Sequence, residues 1–366
     1  FSERSIMADA IYIHVPFCVK KCDYCDFLSF QSTKEERKKY VEFLIKEIRM
    51  YPKYKYDTVY FGGGTPSLLE PCDVKLILDE LDIKENAEVT LEANPKTVDY
   101  EKLKGFREAG INRLSMGIQS FSDKFLKILG RLHNSTEGEE AYFTARKAGF
   151  ENISLDLMFS LPNQNIEDVK KDLEKMISLN PEHFSIYSLI WEPETKFFEK
   201  LEKGEYKETD NDLEAQMYEM IIKNSEEAGY IHYEISNFAK KGKEARHNSK
   251  YWRNEEYVGI GLGASGYING IRYKNKMKFI DYYDSILLGE KPVFEEEKID
   301  EEAKEEYRHI LGLRLLKEGI YPSSSEKYLK IYKELEENNF IEKKSEKYVL
   351  TKKGIFLAND VFEKFI

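Results

Sequence analysis

A short apolar segment runs straight into a cysteine-rich loop in Tyr12-Ile13-His14-Val15-Pro16-Phe17-Cys18-Val19-Lys20-Lys21-Cys22-Asp23-Tyr24-Cys25-Asp26-Phe27. Three of the four cysteines lie here, in a Cys-x3-Cys-x2-Cys pattern made by Cys18, Cys22 and Cys25. Thiolates are soft ligands that suit zinc and iron–sulfur centres, and this spacing lets three of them surround one centre. Because a structural zinc site uses four closed ligands, three cysteines favour an iron–sulfur cluster with one open iron.

Two other interpretations of the cysteines stay open. They are scattered structural thiols, or they form a zinc loop that borrows Cys72. Cys72 follows Glu70-Pro71 at a predicted helix start, which is typical of an incidental thiol. His14 alone is weak evidence, because a histidine on a short strand is more often a core residue than a ligand.

The cysteine spacing resembles the signature of the radical S-adenosylmethionine (radical SAM) family. In that family three cysteines hold a [4Fe-4S] cluster, and the open iron binds the methionine end of SAM. The resemblance implies that Cys18, Cys22 and Cys25 are the cluster ligands and that SAM is a second cofactor. It also implies that His14 lies beside the cluster.

Composition excludes several classes of protein. The 366 residues are enough for one large domain with a smaller one attached. Lysine and arginine total 56 against 67 acidic residues, a net charge of −11, which opposes general nucleic-acid binding. The clustered cysteines do not form a secreted disulfide framework, and no apolar run is long enough for a membrane span. We therefore expect a soluble cytoplasmic protein. Residues 1–6 precede the first methionine and are set aside.

Strands and helices alternate along the first half of the chain. After the strand at 12–15, the pattern predicts strands at 58–61, 88–92, 113–117, 153–158 and 183–189, and helices at 34–51, 100–109, 123–129, 135–148 and 165–179. Such alternation is typical of parallel βαβ units. It predicts an α/β fold, a partial (β/α)6 TIM-like barrel whose functional residues lie at the carboxyl ends of the strands.

Polar residues and glycines stand at those predicted strand ends. Gly62 to Thr65 follow the second strand, where glycines allow backbone to approach a ligand, although a plain tight turn explains them too. Glu92 closes the third strand, Gln119 follows the fourth, and Asp156 interrupts an apolar run. A buried carboxylate needs a donor, so Asp156 faces a ligand hydroxyl, an arginine or an internal salt bridge.

Six tracts together resemble the oxygen-independent coproporphyrinogen oxidase (HemN) family over nearly the whole chain. They are Tyr-Ile-His-Val-Pro-Phe-Cys, Phe-Gly-Gly-Gly-Thr-Pro, Leu-Glu-Ala-Asn-Pro, Ser-Met-Gly-Ile-Gln-Ser-Phe, Leu-Gly-Arg-Leu-His and Leu-Asp-Leu-Met-Phe-Ser-Leu-Pro. The resemblance implies a radical SAM barrel whose SAM site is lined by Tyr12, Tyr24, Gly63, Gly64, Thr65, Glu92, Gln119, Arg131 and Asp156. In chemical terms Glu92 and the glycine backbone suit the SAM ammonium, Arg131 suits its carboxylate, and Asp156 suits its ribose.

Two features indicate which branch of this family the chain resembles. Coproporphyrinogen oxidases carry a further cysteine two positions after the third, where this chain has Phe27. The tract Arg246-His247-Asn248-Ser249-Lys250-Tyr251-Trp252 resembles the signature of the heme chaperone branch. Both features favour the chaperones.

The tract also suits heme by its chemistry. On a helix His247 and Tyr251 share a face, and an imidazole flanked by aromatic rings, with Trp252 nearby, suits heme iron and its apolar macrocycle. The alternative is a helix start that packs Trp252 into a core. The glycine-rich segment 259–266 lacks the frame of a nucleotide site, and we interpret it as close backbone packing against the SAM site.

These patterns divide the chain into three regions. Residues 1–235 form the radical SAM core, and 236–291 connect it to a small helical domain of winged-helix type at 292–366. In the small domain we expect helices at 295–316 and 323–338 and a wing at 347–354. Its acidic start favours a lid or a partner contact over DNA binding.

The leading hypothesis is a heme chaperone on a [4Fe-4S] and SAM-binding core that hands heme to an acceptor protein. The acceptor is unidentified, and transient contact with membrane-bound acceptors stays open. The alternatives are an oxygen-independent coproporphyrinogen III oxidase, which decarboxylates two propionates, and a radical SAM enzyme that modifies heme. Whether the chain turns over a substrate is open.

Overall fold

The computed structural model describes residues 8–366, so the set-aside residues 1–6 lie outside the described part of the chain. The strands are β1 (Ala10–Val15), β2 (Lys55–Gly63), β3 (Asp82–Ala93), β4 (Arg113–Gln119), β5 (Ile153–Phe159), β6 (His183–Ser188), β7 (Ile231–Glu234), β8 (Asn237–Ala239), β9 (Val258–Ile260), β10 (Ser265–Ile268), β11 (Ile271–Asn275), β12 (Val293–Lys298), β13 (Ile341–Lys344) and β14 (Lys347–Leu350). The helices are α1 (Lys34–Ile48), α2 (Pro71–Asp79), α3 (Tyr100–Ala109), α4 (Asp123–Ile128), α5 (Ser135–Lys147), α6 (Ile166–Leu179), α7 (Lys196–Glu202), α8 (Asn211–Glu227), α9 (Arg246–Trp252), α10 (Phe279–Leu287), α11 (Glu301–Gly312), α12 (Glu326–Glu337), α13 (Lys352–Phe356) and α14 (Ala358–Glu363).

Nine strands form the main sheet in the order β7-β8-β6-β5-β4-β3-β2-β1-β9. Strands β1 to β6 are parallel and adjacent in chain order, and helices connect them. This arrangement confirms the predicted partial (β/α)6 barrel. None of the helices described between residues 8 and 366 is long and apolar enough to cross a membrane.

Alternate residues of the parallel strands face opposite sides of the sheet. Ile13, Phe61 and Leu91 are fully buried in the core that includes side chains of the surrounding helices. The intervening positions carry polar side chains toward the barrel interior, such as Thr58 and Arg113, which are also buried. The side-chain period of a strand therefore separates an apolar outer layer from a polar interior.

The main sheet continues across the predicted boundary at residue 235. Strand β7 pairs antiparallel with β8, which pairs with β6. Strand β9 adds to the other edge as a parallel neighbour of β1. Because these backbone hydrogen bonds cross residue 235, the connecting segment is part of the barrel wall as well as a link.

The predicted helix at 295–316 is wrong over its first part, which is strand β12. This strand pairs with β11, and Glu297 lies opposite Arg272 while Glu295 lies opposite Lys274. Opposite charges directly across two strands stabilise the pairing. Helix α11 begins only after Asp300, whose side chain accepts the Ala303 N–H at 2.9 Å.

The small C-terminal domain has its own core. Strands β13 and β14 pair antiparallel as the predicted wing, and helix α12 lies within the predicted helix at 323–338. Leu313, Tyr332, Val361 and Phe365 are among the buried residues of this second core. The winged-helix-like domain is therefore present as predicted.

A buried carboxylate ties helix α1 to the connecting segment. Glu47 has no exposed surface. Its Oε2 accepts the Tyr282 hydroxyl at 2.6 Å and the Gly261 N–H at 2.9 Å, and its Oε1 accepts the Asn275 side-chain amide at 2.6 Å. Burial raises the pKa of Glu47 to about 7, although these donors oppose that rise.

We expect the Glu47→Gln variant to gain stability relative to the natural protein as pH rises from 5 to 7.5. Because the pKa of Glu47 is higher in the folded chain, the folded state holds a proton that the unfolded state loses above about pH 4.5. The natural protein therefore loses stability through this window, whereas the glutamine of the variant does not titrate. Thermal unfolding midpoints at pH 5, 6 and 7.5 measure the difference.

Glu42→Gln is the matched control, because Glu42 is an exposed carboxylate on the same helix. We expect its midpoint to follow the natural protein at every pH. A constant difference between Glu47→Gln and the natural protein across the pH range would contradict the assignment.

Candidate functional site

The cysteine loop is closed at its base by backbone hydrogen bonds. The Cys18 N–H donates to the Phe30 carbonyl oxygen at 2.9 Å, and the Phe30 N–H donates to the Pro16 carbonyl oxygen at 2.8 Å. Inside the loop the Cys25 N–H donates to the Cys22 carbonyl oxygen at 3.2 Å. The three cysteines are thus held on one closed loop at the carboxyl end of β1.

Two predicted SAM-site residues contact the thiols. Cys18 Sγ lies 3.4 Å from Thr65 Oγ1, and the Arg131 guanidinium donates to Cys22 Sγ at 3.5 Å. Burial raises the pKa of Cys25 to about 11, and the neighbouring Cys22 and Cys18 thiols contribute in the same direction. Thiols in this setting become thiolates when a metal centre supplies the positive charge.

No three His, Cys, Asp or Glu side chains among residues 8–366 lie close enough together to chelate a single metal ion. A cluster does not need that geometry, because its thiolates bind different irons around a wider core. All three loop cysteines are partly buried, whereas Cys72 is exposed. The donor set therefore fits an iron–sulfur cluster better than a zinc ion.

The glycine loop after β2 lies directly against the cysteine strand. A Cβ on Gly63, whose φ is +112°, would stand 2.5 Å from the His14 ring, and one on Gly64 would stand 2.7 Å from the Phe17 carbonyl oxygen. The Gly64 N–H donates to the Val15 carbonyl oxygen at 2.9 Å. Only glycine fits at this approach, which brings Thr65 next to the thiols.

Glu92 lies inside the barrel, where Tyr60 contacts it. The Tyr60 hydroxyl donates to Glu92 Oε1 at 2.7 Å, and burial raises the pKa of Glu92 to about 7. The Tyr12 ring stacks on the Tyr60 ring with centroids 6.2 Å apart. The Tyr12 hydroxyl hydrogen-bonds His14 Nδ1 at 2.9 Å, while His14 Nε2 faces a backbone carbonyl oxygen at 3.4 Å.

Arg131 and Gln119 are held at the end of β4. The Arg131 guanidinium donates to the Gly117 carbonyl oxygen at 2.5 Å, and its Nε is buried without a partner among the described residues. Gln119 has a positive φ of 70°, and its Oε1 accepts the Tyr187 hydroxyl at 3.0 Å. The positive φ turns the chain at the strand end toward the interior.

Asp156 shares this interior without a close ion pair. Burial raises the pKa of Asp156 to about 6, while the Ser185 hydroxyl and the Arg113 and Arg131 guanidiniums oppose the rise. A carboxylate in this setting suits hydroxyl donors of a ligand.

Tyr24 closes the side of the cysteine loop away from β1. Its ring contacts the Phe197 ring edge-on, with centroids 6.2 Å apart. The preceding Asp23 accepts the Phe197 N–H at its carbonyl oxygen, 3.0 Å away, and its carboxylate pairs with Lys196 at 3.2 Å. Helix α7, which the sequence pattern did not predict, therefore supports the loop.

An open basin of about 520 Å³ lies beside the cysteine loop. Lys20, Lys96 and Lys127 line it together with Arg131 and the exposed side chain of Leu132. Asp123 and Glu137 line it as well, so the basin carries charges of both signs.

His247 lies in the barrel interior and not at an open surface. It is fully buried. Its Nδ1 is 2.7 Å from Thr58 Oγ1 and its Nε2 is 2.7 Å from the Tyr251 hydroxyl. Burial lowers the pKa of His247 to about 3, so the ring is neutral. Both ring nitrogens therefore have protein partners in this conformation.

Trp252 lies at the junction between the barrel and the C-terminal domain. The Arg314 guanidinium covers its ring at 4.3 Å from the centroid, and Arg314 also pairs at 3.7 Å with Glu234, which is fully buried. In this conformation Trp252 therefore contacts the C-terminal domain, and its place beside a heme stays a prediction.

The structure gathers the predicted cluster and SAM residues around one interior. Tyr12, Tyr24, Gly63, Gly64, Thr65, Glu92, Gln119, Arg131 and Asp156 come from strands β1–β5 or from the loops beside them. The sequence reasoning missed Arg113, a buried cation in the same interior. The sequence feature that could have identified Arg113 is a charged residue at the start of an otherwise apolar strand.

Known proteins are similar to this chain over part or nearly all of its length. Residues 12–176 match the family described as the Radical SAM superfamily. The chain is 38% identical to the heme chaperone HemW of Lactococcus lactis, with 98% of this chain and 97% of that protein covered. It is 37% identical to the heme chaperone HemW of Bacillus subtilis, with 97% of this chain and 98% of that protein covered.

A solved structure has the same fold. It is the radical SAM enzyme coproporphyrinogen III oxidase (HemN) of Escherichia coli, with a TM-score of 0.86, 20% identity, and coverage of 99% of this chain and 91% of that chain. The radical SAM family implies a [4Fe-4S] cluster and SAM. By the extent of these matches, this chain belongs to the radical SAM superfamily and, within it, to the HemW family.

Proposed function

We propose that this protein is a heme chaperone, which binds heme and transfers it to an acceptor protein. The observation that carries the proposal is that relatives aligned along nearly its whole length bear the name heme chaperone. The likeness to HemN concerns the fold alone. The oxidase alternative is therefore supported less than the chaperone.

We propose Cys18, Cys22 and Cys25 as ligands of a [4Fe-4S] cluster. The loop is fixed at its base, and Thr65 and Arg131 contact two of the sulfurs. Both side chains can donate hydrogen bonds to thiolates, which stabilises the ligands in their charged form. When bound, the cluster and SAM together supply one-electron chemistry at the sulfonium.

The interior residues suit the polar groups of SAM. Glu92 offers a carboxylate to the ammonium, and Arg131 offers its unpartnered Nε to the carboxylate. Asp156 suits the ribose hydroxyls. Because burial raises the pKa of Glu92 to about 7, a cationic ligand that binds beside it favours its ionised form.

We propose that heme binds at the tract that contains His247, Tyr251 and Trp252, provided that Tyr251 moves away from His247 Nε2. Nδ1 faces the Thr58 hydroxyl, the kind of second partner that orients a ligating histidine. Nε2 faces the Tyr251 hydroxyl. Heme iron binds Nε2 only when Tyr251 leaves it, so the proposal requires helix α9 to rearrange.

The cluster ligands are tested by single replacements. We expect anaerobic reconstitution to give about four irons per chain, and Cys18→Ala, Cys22→Ala or Cys25→Ala to abolish the cluster absorbance. Cys72→Ala is the control and should retain it, because Cys72 is exposed on α2. Loss of the cluster in the Cys72 variant would contradict the ligand set.

We expect no conversion of coproporphyrinogen to protoporphyrinogen by the reduced, SAM-supplied protein. The reason is that Phe27, an exposed side chain, stands where the oxidases that the sequence resembles carry a cysteine. Chromatography of the products measures the conversion of coproporphyrinogen to protoporphyrinogen. Turnover at about 1 per minute or faster, a rate that slow enzymes reach, would contradict the chaperone-only proposal.

We expect His247→Ala to weaken heme binding strongly and to shift the Soret band, because the axial bond is lost. Trp252→Ala should weaken it by about 1–3 kcal/mol of apolar contact. Anaerobic heme titration followed by absorbance measures both. Tyr251→Phe is the discriminating variant, since it frees Nε2 and should bind heme at least as tightly as the natural protein. Unchanged affinity and spectrum in His247→Ala would show that the tract is structural.

A further inference from the structure

The Arg113 side chain is a cation enclosed in the barrel. It is 2% exposed and is one of the largest fully buried side chains of the chain. Its Nε has no hydrogen-bond partner among residues 8–366, and neither has Thr90 Oγ1, which belongs to the residue opposite it in register. The ion pairs that arginines form in the described part of the chain do not include Arg113.

An unpaired buried charge is costly, and a guanidinium cannot shed its charge. Glu92 and Asp156 share this interior with Glu88, whose carboxylate already accepts the Arg246 and His247 N–H groups. Glu92 lies opposite Ser115, the next inward-facing residue of β4, and Asp156 lies opposite Gly117. Burial raises the pKa values of Glu92 and Asp156, and the Arg113 charge opposes the rise in both.

The Glu92 and Asp156 carboxylates also act on each other, since the Asp156 charge raises the pKa of Glu92. The titratable and charged groups that face them are Tyr12 on β1, Tyr60 on β2, Arg131 between α4 and α5, Tyr187 on β6 and Tyr251 on α9. Burial raises the pKa of each of these tyrosines well above its ordinary value, so they stay neutral. Arg113 and Arg131 are therefore the cations that face the two acids in the described structure.

We propose that Arg113 is a positioning residue whose charge favours the ionised forms of Glu92 and Asp156 without pairing with either, so that both carboxylates can bind SAM. A direct salt bridge would occupy those oxygens, whereas a cation beyond contact range favours the charged form and leaves the lone pairs open. The inference rests on the proposed SAM site, and it gives a role to a buried arginine that forms no ion pair among residues 8–366.

The test is SAM binding by the cluster-reconstituted protein, measured by anaerobic calorimetry at pH 6, 7 and 8.5. Arg113→Met and Arg113→Gln remove the charge, and Arg113→Lys keeps it. Arg107→Met, at an exposed arginine on α3, is the control. The ionisation of SAM itself is the same for every variant, so it cancels in the ratio of dissociation constants.

We expect Arg113→Met and Arg113→Gln to bind SAM about tenfold more weakly than the natural protein at pH 6, the consequence of a shift of about one pKa unit. The ratio of the two SAM dissociation constants should fall below about twofold at pH 8.5, where the carboxylates are ionised even without the Arg113 charge. Arg113→Lys and Arg107→Met should keep the natural pH profile. Thermal unfolding identifies any variant that does not fold, and Arg113→Met and Arg113→Gln are measured separately so that either one alone decides the test.

A ratio that does not change with pH in the neutral variants, or an Arg113→Lys profile that matches theirs and not the natural one, means that Arg113 only fills space and overturns the inference. Absence of SAM binding by the natural protein at every pH overturns the proposed SAM site and this inference with it. The two failures are distinguishable because the natural protein is measured first.

Discussion

The functional end of the molecule depends on how strand β1 is fixed. The Tyr40 hydroxyl donates to the His14 carbonyl oxygen at 2.8 Å and accepts the Leu262 N–H at 2.9 Å, so one side chain joins helix α1, the cysteine strand and the glycine-rich segment. On its other side the His14 ring fills the space that a Cβ on Gly63 would need. Thiolates that hold one cluster must be placed within about half an ångström. The cysteine loop can be placed this accurately because the strand before it is held by contacts on both of its sides.

A polar barrel interior is the second constraint. Parallel sheets are usually apolar on both faces, whereas here each inward polar group needs a partner. Glu88 receives one from helix α9, since its carboxylate accepts the His247 N–H at 3.1 Å and the Arg246 N–H at 3.2 Å. The connecting segment therefore supplies the floor of the interior. This explains why strands β8 and β9 belong to the barrel and why a division at residue 235 cuts through paired strands.

The sequence predicted the parts of the fold that local periodicity specifies. All six parallel strands and the helix at 100–109 are where the pattern placed them, because apolar alternation and loop glycines are local signals. Strand β12 was missed because its stabilising cations, Arg272 and Lys274, lie on a different strand, well before it in the chain. Likewise the partner of His247 Nδ1 is Thr58, 189 positions away. No spacing rule within the tract reveals that its histidine is enclosed.

The position of His247 also links the two halves of the proposed function. Its ring stacks on Tyr60 with centroids 5.1 Å apart, and the Tyr60 hydroxyl donates to Glu92. An iron that replaces Tyr251 at Nε2 binds the ring that stacks on Tyr60, and Tyr60 is a direct partner of the carboxylate proposed for the SAM ammonium. Binding free energies at two such sites are coupled reciprocally: if SAM changes the affinity for heme, heme changes the affinity for SAM by the same factor. A heme carrier must both load and release heme. Coupling through Tyr60 lets SAM binding change the affinity for heme without consuming SAM.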